Sequence, residues 1–505
     1  MKNVLDWLEA TAKRLPDKTA VLDPVRSLTF SQLEHDAQAA GSWLAHEISP
    51  RSAVALFIEK STVALSAMLG AVWAGGFYCA LDVHQPKSRI LSICETLKPA
   101  VILTDDASAS EAASYFADAP YRIVPISSIF GPIDHELLAQ RRRQATDVDP
   151  LYVTFTSGST GTPKGVVTAQ RGVLDFVPAF VTAVGITEAD IHGNQAPFDF
   201  DASVKDIYSS LYTGSTVVII PRAYFLQPTK LMDYVADHGC TTLVWAVGAM
   251  GFVTIMNAFD YRVPTSVNKV LFSGEVMPPK ELRHWRRYLP NAKYVNLYGP
   301  TETTCNCTYF VVDRDYENDE TIPAGKPFAD ERVFLLDENN VEVTQPGMRG
   351  EVCVSGTTLA LGYLDNHEKT AAAFMQNPAQ HRWLETIYRT GDLATWNEDG
   401  NLVYATRKDN QIKHMGQRIE LGEIEAAARR DPGVENACCL YDHKRKKIRL
   451  FYVGSTEKDA LLRNMHETLP EYMIPNSTKQ LDQFPLTSSG KINRKELKVL
   501  ARIKD

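Results

Sequence analysis

The chain lacks any apolar run long enough to cross a membrane. Its N-terminus, Met1-Lys2-Asn3-Val4-Leu5-Asp6-Trp7-Leu8-Glu9, carries charge where a signal peptide needs an uncharged apolar core. Positive charge is not in excess: 53 Lys+Arg against 61 Asp+Glu give a formal net charge of −8, which excludes the basic face of a nucleic-acid-binding protein. The 8 cysteines form no C-x-x-C pair, so zinc-ribbon and thioredoxin-like sites are excluded. Cys305 and Cys307 are spaced C-x-C and Cys438 and Cys439 are adjacent; all are expected as buried thiols in a reducing compartment, and the chain as cytoplasmic. No internal repeat or low-complexity tract interrupts the sequence. At 505 residues and 44% hydrophobic, the chain exceeds what one hydrophobic core usually holds.

Strand-like and helix-like patterns alternate. Ser52-Ala53-Val54-Ala55-Leu56-Phe57-Ile58, Ala100-Val101-Ile102-Leu103, Thr242-Leu243-Val244-Trp245 and Val270-Leu271-Phe272 read as buried strands, with helical patterns over Thr62–Trp73 and 278–288. Val4, Leu5, Leu8 and Ala12 mark one face of an amphipathic N-terminal helix. The alternation predicts α/β layers around largely parallel sheet. From Arg332 onward the runs shorten and turn signals crowd in (Asp337-Glu338-Asn339-Asn340, Pro346-Gly347, Glu398-Asp399-Gly400), which predicts a more antiparallel, barrel-like region. A boundary falls at the charged segment Arg407-Lys408-Asp409-Asn410. Beyond it, a helix over 420–430 and a strand at Lys447-Ile448-Arg449-Leu450-Phe451-Tyr452-Val453 predict a small α+β domain.

Five stretches carry chemistry. Thr154-Phe155-Thr156-Ser157-Gly158-Ser159-Thr160-Gly161-Thr162-Pro163-Lys164-Gly165 packs hydroxyls, glycines and one lysine behind an apolar run. Such a loop suits a polyphosphate, because close backbone N–H groups, hydroxyl donors and a cation all meet the anion. It is not the G-x-x-x-x-G-K-[ST] loop, and taken alone such a segment is more often a flexible turn or linker. Asn296-Leu297-Tyr298-Gly299-Pro300-Thr301-Glu302-Thr303-Thr304 offers a tyrosine to stack on a flat base and a carboxylate for Mg²⁺, or simply a β-turn before a capped helix. In Tyr388-Arg389-Thr390-Gly391-Asp392-Leu393-Ala394, Asp392 is placed to accept from ribose hydroxyls or to be an ordinary turn aspartate. Arg407-Lys408-Asp409-Asn410-Gln411-Ile412-Lys413-His414-Met415-Gly416-Gln417-Arg418-Ile419-Glu420 is a dense polar run at the boundary, and Pro485-Leu486-Thr487-Ser488-Ser489-Gly490-Lys491-Ile492-Asn493-Arg494-Lys495 carries a lysine on a turn.

In this order and spacing the five stretches resemble the adenylate-forming superfamily: acyl-CoA synthetases, luciferases and the adenylation domains of nonribosomal peptide synthetases. Phe200-Asp201-Ala202-Ser203-Val204 and the Thr301-Glu302-Thr303-Thr304 turn are most similar to amino-acid adenylation domains and to free-standing ligases such as D-alanine–carrier protein ligase. The resemblance implies an α/β fold: a large N-terminal domain, 1–408, with two layered α/β sheets plus a distorted β-barrel, and a small mobile α+β C-terminal domain, 409–505, hinged near Asp409. It implies two half-reactions. A carboxylate attacks the α-phosphorus of ATP·Mg²⁺ to give an acyl-adenylate and pyrophosphate, and a thiol then takes the acyl group and releases AMP. Lys491 matches the catalytic lysine of the first step, and Glu302 and Thr160 match groups at the metal and phosphates. The loop residues Thr156, Ser157, Gly158, Ser159, Thr160, Gly161, Thr162 and Lys164 would hold the β- and γ-phosphates. Tyr298 would stack on adenine, Gly299 and Thr301 would line the ATP site, and Asp392 with Arg407 would fix the ribose. The family's glycine before the hinge-motif arginine is replaced by Thr406.

In amino-acid-activating relatives the residue matching Asp201 binds the substrate ammonium; as a bare sequence feature it also suits a helix cap. The other lining positions carried over are Ala202, Lys205, Met250, Leu271, Ser273, Leu297 and Cys305. A lysine in such an apolar set is costly unless paired. A substrate carboxylate would pair Lys205, which points to an acidic amino acid; Asp201, four residues earlier, would serve equally, leaving a small alanine-like residue as the rival. No carrier domain follows Asp505, so the expected acceptor is a separate phosphopantetheinylated carrier protein, with coenzyme A as alternative. A kinase-like NTPase would release ADP, and a non-catalytic nucleotide-binding regulator would not need Glu302, Asp392 and Lys491 together.

Overall fold

The structure, a computed structural model, describes every residue except 159–161, 409–410, 487–491 and 504–505. Its contacts divide the chain into two compact units. One holds Met1–Val83, Leu97–Thr154 and Gly165–Lys408; the other holds Asp409–Asp505 together with His84–Thr96 and Phe155–Lys164. The second unit is therefore assembled from three separate stretches of chain.

The first unit is built on short, apolar parallel strands. A six-stranded sheet runs in the order Ile123–Pro125, Val101–Thr104, Ala53–Phe57, Phe77–Leu81, Pro150–Thr156, Lys164–Ala169. Ala53–Phe57 and Val101–Thr104 are buried at every residue, as expected of strands covered on both faces. The expected helix forms over Thr62–Trp73, where the Ser61 side chain accepts from the Ala64 N–H. It packs on Phe30–Glu47, which starts at a capping box between Thr29 and Gln32. Gly41 permits that approach, since a Cβ there would lie 2.4 Å from Trp73 Cβ.

A nine-stranded sheet runs Lys326–Pro327, Thr308–Val311, Lys293–Tyr298, Lys269–Ser273, Thr242–Ala246, Ile191–Asn194, Thr216–Ile219, Thr19–Leu22, Ser27–Thr29. Its central strands are parallel. The period of two along each strand divides the core between its faces. Val244, Leu271, Val295 and Leu297 join one cluster; Trp245, Val270, Phe272 and Tyr294 join the other. From Glu331 the chain turns antiparallel, as its turn-rich sequence predicts: Glu331–Leu336, Arg349–Gly356, Thr386–Trp396, Phe374–Gln376 and Leu402–Arg407 form one sheet.

In the second unit, Val434–Asp442, Lys447–Gly454 and Ser477–Gln480 form a sheet, with a hairpin of Gln411–His414 and Gln417–Glu420. Ile424, Ala428, Leu450, Tyr452, Leu461 and Met465 form its core. All eight cysteines are buried. Among the described residues no helix is long and apolar enough to cross a membrane.

One carboxylate ties together the starts of three parallel strands. Asp190 Oδ1 accepts from Thr241 Oγ1 at 2.8 Å, Thr242 Oγ1 at 3.0 Å and Lys269 Nζ at 2.8 Å, and Oδ2 accepts from the Thr187 N–H at 2.8 Å. Burial alone would raise its pKa; the bonds from Lys269, Thr187 and Thr241 outweigh burial and pull it down to about 2. A carboxyl held below its unfolded value stabilises the fold above that value and loses the contribution as pH falls through the folded one. Acid titration of unfolding should therefore show stability lost between about pH 4 and pH 2. Asp190→Asn should lower the unfolding free energy at pH 7 by roughly 1–2 kcal/mol and flatten that acid limb, as measured by urea denaturation across pH.

Candidate active site

The carboxyl ends of the parallel strands converge on one edge of the nine-stranded sheet, the position where open α/β sheets bind ligands. Asn194, Ala246, Ser273 and Tyr298 end four of them, with Ala246 opposite Ser273 in register. The loops that leave these ends carry Asp201, Ala202 and Cys305; Leu271, Ser273 and Leu297 lie on the strands themselves, and Lys205 on the helix that follows.

After Asn194 the chain passes through Asp201 and Ala202 into the helix Ser203–Thr213. Ala202, not Asp201, occupies the cap position of that helix, and it makes no side-chain cap bond. Asp201 is buried, and its charge is felt by Tyr152 and Cys305, whose pKa values it helps to raise after the larger effect of burial. Lys205, fully buried, donates to Asn306 Oδ1 at 2.8 Å and contacts Cys305 Sγ at 3.0 Å. Burial pushes the Cys305 thiol up to about 12, so it meets Lys205 as a neutral group. Leu271 and Leu297 lie on the sheet face toward the first core, and Ser273 ends the same strand as Leu271.

Met250 does not join them. It packs on the opposite face with Trp245, Phe272 and Trp285, and its carbonyl accepts from Trp285 Nε1 at 3.2 Å. The helix Val247–Ile255 is apolar on nearly every side, so its sequence does not reveal which residue faces the strand ends. Sequence reasoning misses Asn306. Its only signal is position: it directly follows Cys305 on the turn after Tyr298-Gly299-Pro300. Lys60 is missed as well. It follows the strand Ala53–Phe57, and its amine donates to the Asn194 carbonyl at 3.0 Å, Asn194 Oδ1 at 3.1 Å and the Gln195 carbonyl at 2.8 Å. Burial of this amine lowers its pKa to about 7.

The Tyr298–Cys305 turn is held under strain. Thr304 and Cys305 have φ of 47° and 81°, a left-handed region that a β-branched residue rarely enters. A Cβ on Gly299 would lie 2.4 Å from Asn306 Cα, so the turn closes on itself only because that side chain is absent. Thr301 and Glu302 sit on the short 3₁₀ turn Thr301–Thr303, both buried. Tyr363 donates its hydroxyl to Glu302 Oε1 at 2.8 Å.

Tyr298, Asp392 and Arg407 form one buried group. Tyr298 donates to Asp392 Oδ2 at 2.6 Å, and Arg407 Nη1 donates to Asp392 Oδ1 at 2.5 Å. Arg407 also donates to the Thr390 carbonyl at 3.1 Å. Burial, with the nearby Asp392 charge, raises the Tyr298 pKa well above its ordinary value and keeps the phenol protonated.

The phosphate-loop candidates belong to the second unit. Thr156 ends its strand with a buried hydroxyl that has no hydrogen-bond partner among the described residues. Ser157 donates to the Arg418 carbonyl at 2.6 Å. A Cβ on Gly158 would lie 2.0 Å from the Thr162 carbonyl oxygen. Thr162 is exposed and Lys164 is half-buried. Ser159, Thr160, Gly161, Asp409 and Lys491 lie outside the described residues.

A family model described as AMP-binding enzyme matches residues 8–364. The chain belongs to the AMP-binding enzyme family. Bacitracin synthase 1 of Bacillus licheniformis is 30% identical over 525 residues, 98% of this chain and 9% of that protein. Tyrocidine synthase 3 of Brevibacillus parabrevis is 32% identical over 498 residues, 97% of this chain and 7% of that protein. The chain thus spans less than a tenth of the length of either relative. Among solved structures, holo-PA1221, an NRPS protein containing adenylation and PCP domains, aligns with a TM-score of 0.84 at 25% identity, covering 99% of this chain and 84% of that one. The Vibrio cholerae adenylation domain AlmE, in complex with glycyl-adenosine-5'-phosphate, shares the fold with a TM-score of 0.86 at 21% identity, covering 99% and 98%.

The protein buries an ion pair in the Tyr298–Asp392–Arg407 group, so removing one partner strands the other. Arg407→Met should cost about 3 kcal/mol of unfolding free energy, measured by chemical denaturation. Asp392→Asn with Arg407→Met should recover part of that loss.

Proposed function

We propose that the enzyme activates an amino acid as aminoacyl-AMP and passes the aminoacyl group to the phosphopantetheine thiol of a separate carrier protein. The observation that carries the amino-acid reading is the buried carboxylate of Asp201 on the loop leaving the carboxyl end of Ile191–Asn194. An α-ammonium group is the natural partner for such a carboxylate. Relatives named for tyrocidine and bacitracin synthesis, and a solved neighbour that combines adenylation and PCP domains, support carrier transfer.

Attack of one anion on another needs cations around the phosphorus. In this reading Lys491 offsets charge on the α-phosphoryl oxygens, and Thr156–Lys164 hold the β- and γ-phosphates, where the Thr156 hydroxyl, without a hydrogen-bond partner among the described residues, has a donor to spare. Tyr298 stacks on adenine while its hydroxyl is held by Asp392. Asp392, with Arg407 fixing one of its oxygens, accepts from the ribose. Asp409 acts as the hinge that removes Lys491 before thiol attack.

Among the described residues no cluster of three or more His, Cys, Asp or Glu side chains could hold a metal. Mg²⁺ on a nucleotide takes one or two carboxylates and fills the rest of its shell with phosphate and water, so the single carboxylate of Glu302 fits it. When bound there, Mg²⁺ would neutralise phosphate charge.

The substrate side chain is read from Lys205. Its two neutral contacts, Asn306 Oδ1 and Cys305 Sγ, supply no countercharge, and an acidic side chain would. This favours glutamate or aspartate over a small alanine-like residue. Coenzyme A is the alternative acceptor.

A pyrophosphate-exchange panel over the amino acids tests the first step: an acidic amino acid should respond most strongly, and silence toward every amino acid would remove the ammonium role of Asp201. Lys491→Ala should lose exchange by about a hundredfold yet still transfer from supplied aminoacyl-adenylate. Equal loss of both half-reactions would contradict its assignment.

A further inference from the structure

The turn that carries Asp392 is an irregularity in an antiparallel ladder. Glu351 pairs with Leu393 and Cys353 pairs with Arg389, so Thr390, Gly391 and Asp392 all stand opposite Val352. A bulge of this kind re-aims a side chain at the cost of unpaired backbone groups. Gly391 supplies the left-handed residue, with φ of 75°.

Glu351, whose side chain is 6% exposed, fills the gap. Its Oε1 accepts from the Gly391 N–H at 3.1 Å. Its Oε2 accepts from Arg389 Nε at 2.8 Å, from Arg389 Nη2, and from Lys408 Nζ at 3.0 Å. Lys408 in turn donates its backbone N–H to the Gly391 carbonyl at 2.9 Å. Thr390 completes the turn: its hydroxyl donates to the Val352 carbonyl at 2.9 Å and accepts from the Asp392 N–H at 3.0 Å. One carboxylate therefore binds both flanks of the bulge, Arg389 before it and, through Lys408, the strand that supplies Arg407. Burial would raise the Glu351 pKa; the bonds from Arg389 and Lys408 outweigh it and keep the carboxylate ionised.

We propose that Glu351 is a positioning residue for the nucleotide: by locking the 389–392 bulge to Lys408 it aims the Asp392 carboxylate at the ribose hydroxyls. The inference rests on the reading of Asp392 as the ribose-binding carboxylate. Glu351 itself touches no substrate. Its effect must therefore appear only in the part of nucleotide binding that depends on ribose hydroxyls.

The test is calorimetric titration of the full chain with ATP, 2′-deoxy-ATP and 3′-deoxy-ATP. The wild type should bind ATP about tenfold more tightly than at least one deoxy analogue, the worth of a charge-assisted hydrogen bond. Glu351→Gln keeps the side-chain shape and an acceptor for Gly391 but removes the charge that holds Arg389 and Lys408. It should weaken ATP about tenfold and that deoxy analogue less than about twofold, so the ratio falls toward one. Equal weakening of both nucleotides, or no change in either, overturns the proposal. A wild type that fails to discriminate overturns the ribose reading and this inference with it; a discriminating wild type whose ratio survives in Glu351→Gln overturns the inference alone. If Glu351→Gln does not fold, Lys408→Met serves, because it leaves Arg389 its partner. It should narrow the ratio by about threefold, and an unchanged ratio overturns the proposal.

Discussion

Arg407 and Asp392 meet at 2.5 Å with 8% and 2% of their side chains exposed. A pair so far out of water persists only if its remaining hydrogen-bonding capacity is also met. Two further bonds meet part of it. The Tyr298 hydroxyl takes the second Asp392 oxygen, and the Thr390 carbonyl takes a second guanidinium nitrogen. Two neighbouring strands and a third segment 94 residues away from Asp392 are thereby fixed in one place. Each arrives on a different kind of structure: Tyr298 ends a parallel strand, Asp392 lies on a bulge, and Arg407 ends a strand of the antiparallel sheet. The cost of burying a charge forces the two sheet architectures of the first unit to agree on one geometry.

The same logic recurs at Lys205, at Lys60 and at Asp190, with different consequences. Asp190 lies at the amino ends of the parallel strands and meets a lysine and three threonines, which anchors the sheet. Lys205 and Lys60 lie at the carboxyl ends and meet mainly neutral acceptors. Anchoring wants complete charge compensation. A binding site wants a charge whose compensation can be improved by a ligand. In the proposed reading the two ends of one sheet separate stability from function, as expected where ligands bind beyond the carboxyl ends of parallel strands.

Much of this is legible in sequence because the relevant signals are local. Thr62–Trp73 forms with the expected bounds, since its apolar run and Ser61 cap are both short-range features. Thr242–Ala246 and Lys269–Ser273 appear as strands because burial on both faces leaves a continuous apolar run. What escapes is non-local. Asn306 holds Lys205 across about a hundred residues of chain, and nothing in either segment announces the other. Met250 enters the expected lining through the resemblance, and a helix that is apolar all round offers no phase to check it. The Gly391 bulge is invisible without the register of Arg349–Gly356 against Thr386–Trp396, which depends on strand pairing rather than composition.

The two architectures also differ in how they place Asp201, Tyr298 and Asp392, all three buried and proposed to meet substrate or nucleotide. A parallel sheet leaves its carboxyl ends open because each strand must continue into a crossover, so Asp201 and Tyr298 reach the edge without distortion of the ladder. An antiparallel sheet has no such opening in mid-strand, and Asp392 lies in the middle of Thr386–Trp396. Presenting it there requires breaking the ladder, and a broken ladder leaves donors unpaired. Glu351, Thr390 and Lys408 repair that break with side chains and backbone chosen from the immediate neighbourhood. The density of charge around Glu351 is therefore explained by sheet geometry: a residue offered from the interior of an antiparallel strand has to be surrounded by substitutes for the hydrogen bonds it gave up.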